Sequence, residues 1–173
     1  MKRFLSFVST VNSGVGVVAS ILCLLNLINV FYDAIARYFL AGLFPFRVTS
    51  IGLQELEWHF FSATFMLGMA YALKKDGHVR VDIFYDKFND RKKAMVNIFG
   101  TVVFLLPFII LIFIYGFDFA QNSFSLGEKS GDPGGLPYRF IIKSFVPLSG
   151  FFLFLSSIEY LSKQIEIFRR EKP

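Results

Sequence analysis

Few side chains in this 173-residue sequence are equipped for chemistry, and they are scattered. His59 and His78 stand 19 positions apart, about 28 Å on a continuous helix at ~1.5 Å per residue. That distance is too great for both rings to ligate one haem iron. Cys23 is the single cysteine, so no internal disulfide, CxxC pair or zinc site is available to it. It reads as a small buried apolar residue. No nucleophile stands beside a base and no ligand cluster is visible, which argues against an enzyme and against a metal or cofactor in this chain. The most telling acid is Glu55, in Gln54-Glu55-Leu56-Glu57-Trp58-His59, at the head of an apolar run. A carboxylate entering hydrocarbon is costly without a partner. Two readings stand: an ion pair or hydrogen bond that fixes a subunit interface, or an exposed acid that complements a helix dipole. Glu57 reads as the solvated member of the pair.

Two further polar groups lie between apolar runs. His78, Arg80 and Asp82 suit docking to a partner, anchoring of a surface helix, or capture of a lipid phosphate; an ordinary basic flank is the plain alternative. Asp132 and Arg139 bracket the turn-forming run Gly131-Asp132-Pro133-Gly134-Gly135-Leu136-Pro137. That turn either meets a partner or is simply rigid. The first apolar stretch contains Asn12, Ser20, Asn26 and Asn29; amides in hydrocarbon need partners, so this face should meet protein, and Asn26 and Asn29 share a helix face.

The elements that must position these residues are four apolar stretches, over about 11–32, 53–73, 94–117 and 141–161. Each is near the ~20 residues that cross a hydrocarbon core of ~30 Å. Apolar residues make up 54% of the chain and the mean hydropathy is +0.55. The pattern predicts an all-α integral membrane protein, one domain over 1–173 with four transmembrane helices. Thr49 or Ser50, and Asn89 or Asp90, are placed to cap the second and third helices. Pro107 predicts a kink in the third. Gly14, Gly16 and the Gly68/Ala72 pair are spaced for close helix packing. Between the second and third spans, Val81, Phe84 and Phe88 recur at helical spacing, which predicts a short amphipathic helix in the interface.

Charge sets the expected orientation. Lys2, Arg3, Lys74, Lys75, Arg80, Lys87, Arg91, Lys92, Lys93, Lys163, Arg169, Arg170 and Lys172 fall on one side of a four-span arrangement. Only Arg37, Arg47, Lys129, Arg139 and Lys143 fall on the other. The positive-inside rule then puts both termini in the cytoplasm. The net charge of +5 is spent at span ends, which argues against nucleic-acid binding. The apolar run after Met1-Lys2-Arg3 continues past Val18-Ala19-Ser20 to Phe31, longer than a signal core, so a retained helix is expected.

Three features resemble the small, Q-type membrane subunit of tripartite ATP-independent periplasmic (TRAP) transporters. They are Glu55 to Tyr71, then His78-Val79-Arg80-Val81-Asp82, then Gly131 to Pro137 leading through Arg139 and Lys143 to Pro147. With the order of the four spans, the resemblance covers nearly the whole chain. It implies a location in the bacterial inner membrane and two protein partners. One is a periplasmic protein that captures a solute, commonly an organic acid. The other is a large elevator-type permease driven by an ion gradient, usually sodium. The small subunit would brace the permease among membrane lipids, without holding the solute. Glu55, His78, Arg80, Asp82, Asn26, Asn29, Asp132 and Arg139 are then the candidates for subunit contact or docking. Two rivals from other classes are a haem-binding respiratory anchor and a small transporter that works alone as an oligomer.

Overall fold

The computed structural model describes residues 2–40, 50–77, 85 and 87–170, and among these every regular element is helical. Helix α1 is Lys2–Ile35, continued by a widened π turn over Ala36–Leu40. Helix α2 is Ile51–Lys74. Helix α3, Asp90–Gly100, runs through a second π turn, Thr101–Leu105, into α4, Leu106–Ser125. Helix α5 is Phe140–Arg170. Each predicted apolar stretch lies inside one of these helical runs. Val81 and Phe84, which carry the expected interfacial helix, lie outside the described residues.

Local chemistry sets the helix ends. Ser50 caps α2 by accepting from the Leu53 N–H at 3.2 Å, and Asn89 caps α3 by accepting from the Lys92 N–H at 3.1 Å. The second π turn stands immediately before Pro107. A proline ring collides with the carbonyl four residues earlier in a straight helix, and a widened turn relieves this.

Among the described residues, three helical runs are long and apolar enough to cross a membrane: Arg3–Phe39, Asp90–Ser125 and Phe140–Arg170. Helix α2 has 24 residues, about 36 Å at ~1.5 Å each, but Glu55, Glu57 and His59 dilute its apolar character. It packs between α1 and α5, and α5 also receives α3 and α4, so the last helix is the hub. One packed cluster joins Leu73, Ile109, Leu153 and Tyr160; another joins Val15, Ala19 and Leu67.

Small and polar side chains share the interior with the apolar clusters, and the exterior is apolar. Asn12, Ser123, Ser149, Ser156 and Ser157 are among the most buried side chains, while Phe7, Phe31, Phe65 and Phe104 stand outside. Lipid tails are as apolar as leucine, so helices in a bilayer gain from close backbones and polar contacts instead. The Ser156 hydroxyl donates across helices to the Ala70 carbonyl at 2.8 Å. A Cβ on Gly16 would meet the Tyr71 ring, whereas Gly14 and Gly68 face open space. The expectation of close packing thus holds at Gly16 and fails at the other two. Cys23 also departs from expectation: it is exposed on α1, beside Leu24 and Leu27, because the outward face is the apolar one.

Candidate functional site

The loop between α4 and α5 is fastened onto the head of α2. Ser50 starts α2 so that Glu55 lies just over one turn inside it, 7% exposed and directed at the loop. One carboxylate oxygen, Oε1, accepts from the Ser130 hydroxyl at 2.5 Å and from Arg139 Nη2 at 3.1 Å. The other, Oε2, accepts from the Leu136 N–H at 2.5 Å. A charged acceptor strengthens each of these bonds. Arg139 also donates to Ser130 Oγ at 3.4 Å and lies over the Trp58 ring, 5.9 Å from its centroid.

The loop is shaped for this contact. The Ser130 N–H donates to the Leu136 carbonyl at 3.0 Å, and the Asp132 N–H to Ser130 Oγ at 3.2 Å. Gly134 has φ +85°, a conformation that side chains resist. A Cβ on Gly135 would lie 2.3 Å from Ser130 Oγ and 2.9 Å from Glu55 Oε2, so only glycine admits the carboxylate. At the edge of the loop Glu128 accepts from Lys143, and its backbone carbonyl accepts from the Arg139 N–H at 3.1 Å. The Lys143 ammonium holds the Glu128 carboxyl below the usual carboxylate range.

Glu55 and Arg139, named separately from the sequence, therefore meet in one ion pair. Asp132 joins the same loop, but through its backbone: its carbonyl accepts from the Gly135 N–H at 3.0 Å and the residue is exposed. Asn29 donates to the Leu53 carbonyl on α2 at 2.9 Å. Asn26 is half-buried, and its Oδ1 has no partner among the described residues. His78, Arg80 and Asp82 lie outside the described residues. His59 sits beside Trp58, with its Nδ1 2.6 Å from the Glu55 carbonyl.

At the opposite end of the bundle the sequence marks Asn12 as an amide that needs a protein partner, but not the partners themselves. Lys74 at the end of α2 donates to the Ser9 carbonyl and the Ser13 hydroxyl on α1. Asn12, fully buried, donates to Glu159 Oε2 at 3.5 Å, and Lys163 stands 3.6 Å from Glu159 Oε1. Glu159 and Lys163 four apart at the end of an apolar run were the signal for this contact. Asn97 joins α3 to α5 by donating to Gln164 Oε1 at 3.2 Å.

Buried polar contacts thus hold both ends of an otherwise apolar helical unit. No curated protein matches the chain. A family model does match, over residues 26–166, with the description "Tripartite ATP-independent periplasmic transporters, DctQ component". The match takes in the Glu55 site, the α4–α5 loop and nearly all of α5, and the chain belongs to the DctQ component family of tripartite ATP-independent periplasmic transporters.

Proposed function

We propose that this chain is the small membrane subunit that braces a large permease in a three-part solute importer. In this reading α2 is a fourth span and both termini lie in the cytoplasm of a bacterium, with the Glu55-bound loop on the periplasmic side. The partner permease moves the solute, an organic acid or a related anion, and draws on an ion gradient, most simply sodium. A periplasmic binding protein delivers the solute. Family membership supports the subunit role. The observation that carries the bracing role is the fastening of the α4–α5 loop to α2 through Glu55, Ser130, Leu136 and Arg139. It gives the bundle a stiff end on which a moving partner can bear. The cytoplasmic candidates His78, Arg80 and Asp82 extend the same role to the other face.

Co-expression with the large permease and its binding protein tests this reading. The tagged chain should retain the permease through purification, and proteoliposomes should take up solute only with all three components. Solute flux from this chain alone would refute it. Replacing Glu55 by Ala and Arg80 by Ala should each lower permease recovery; unchanged recovery and uptake would reject a bracing role for the Glu55-fastened loop and for Arg80.

A further inference from the structure

A cavity of about 210 Å³ opens beside the Glu55 site, between α2, α4 and α5. Trp58, Ser62 and Met66 line it at successive turns of α2, a depth of about 12 Å at ~1.5 Å per residue. Phe119, Ile142 and Val146 form the facing walls. The slot is therefore almost wholly apolar along its length. Its charged groups are Glu128 and Arg139, from the start and the end of the α4–α5 loop, and Lys143, in the first turn of α5. The Lys143 ammonium stands over the Phe119 ring, 4.1 Å from its centroid, so it spans the apolar and charged parts. All three rim residues are half-exposed, and Arg139 Nε has no partner among the described residues.

We propose that this slot binds one phospholipid with a primary-amine, zwitterionic headgroup, one acyl chain lying along Trp58, Ser62 and Met66. The phosphate meets Lys143 and Arg139, and the headgroup ammonium meets Glu128. Charge balance at the rim selects this class. Arg139 is matched by Glu55 and Lys143 by Glu128, so the rim has no net charge. A zwitterion replaces the single Lys143–Glu128 pair by two charge-assisted contacts and keeps that balance. An anionic headgroup would face Glu128 with no cation to spare. A primary ammonium also brings three donors to the carboxylate.

The test is native mass spectrometry of the full-length chain released from nanodiscs. The discs hold phosphatidylethanolamine or phosphatidylglycerol with identical acyl chains, and glycerophosphoethanolamine serves as a headgroup without chains. The expected result is one retained phosphatidylethanolamine per chain, about tenfold less retention of phosphatidylglycerol, and no retention of the chainless headgroup. Ser62→Phe, which fills the slot, and Lys143→Gln should each lower retention about tenfold. Phe65→Leu, on the exposed side of α2, should not change it. Equal retention of the two lipids, no retained lipid, or retention unaffected by Ser62→Phe would overturn the proposal. The comparison of lipids uses the unaltered chain, so it stands even where a variant folds poorly.

Discussion

Glu55 holds three groups at once, and the three respond differently to its replacement. Glu55→Ala leaves the Ser130 hydroxyl, the Leu136 N–H and one arm of Arg139 without their acceptor. Unmade bonds at buried donors are more costly than the bonds themselves are stabilising. The Leu136 amide should then exchange hydrogen roughly tenfold faster or more in Glu55→Ala, read by exchange mass spectrometry. Glu55→Gln keeps one carbonyl acceptor but turns an amide toward a donor, so its exchange rate should lie between. An unaltered rate in both variants would mean that the loop holds its shape without α2. Glu128 adds a pH dependence with a definite sign. Lys143 lowers its folded-state pKa. The stability it contributes is complete above the ordinary carboxylate value. That contribution is lost as the pH falls through that value and on through the lowered one. The loop should therefore loosen from about pH 4.5 downward in the native chain, where free carboxylates titrate. Glu128→Gln should be looser already at pH 7 and show less further change. A loop whose exchange tracks pH equally in both proteins would contradict the pairing.

Helices α4 and α5 approach closely because glycine stands at the crossing. A Cβ at Gly116 would lie 2.8 Å from Val146 Cγ1 and 3.0 Å from the Pro147 nitrogen, and backbone cannot move aside as a side chain can. Gly116→Ala should cost about 1–3 kcal/mol of stability in detergent unfolding, the usual range for overpacking. Gly68→Ala is the matched control. Nothing lies within 4 Å of its added carbon, so the substitution should be neutral or stabilising by about 0.5–1 kcal/mol. Equal effects at the two sites would show that the crossing is loose. The same pair shows how much was legible beforehand. Apolar runs over 11–32, 94–117 and 141–161 locate helices because hydrocarbon demands length and internally bonded backbone. Capping by Ser50 and Asn89 was legible too, since a cap is a local bond. Close approach was not, because which glycine meets a neighbour depends on helix rotation, a property of the assembled bundle. Cys23 was misplaced for a related reason: burial was inferred from apolarity, while in this fold apolar side chains face outward. Glu55 was recognisable as costly near a membrane, and Arg139 as a neighbour of the turn-forming run. Their union across 84 positions of chain was not, since no local pattern records a loop folding back.

At the scale of the whole molecule, polar contacts are concentrated at two ends and apolar surface covers the middle. Glu55, Glu128, Arg139 and Lys143 tie one end; Lys74, Asn12, Glu159 and Lys163 tie the other. Helix α2 runs from the first group to the second, since Glu55 stands near its start and Lys74 at its end. A helix of about 36 Å that joins two polar layers has the length to cross ~30 Å of hydrocarbon despite its diluted apolar character. In the proposed arrangement, crossing by α2 would return the chain to its starting side before α3. The excess of Lys and Arg would then belong to the cytoplasmic face. Single cysteines placed in a Cys23→Ser background give the measurement. Lys129→Cys, on the exposed α4–α5 loop, should react with an impermeant maleimide in intact cells. Lys2→Cys and Arg170→Cys should react only after the membrane is opened. Labelling of those two positions from different sides would remove α2 as a span, and with it the assignment of the Glu55 loop to the face that a periplasmic partner approaches.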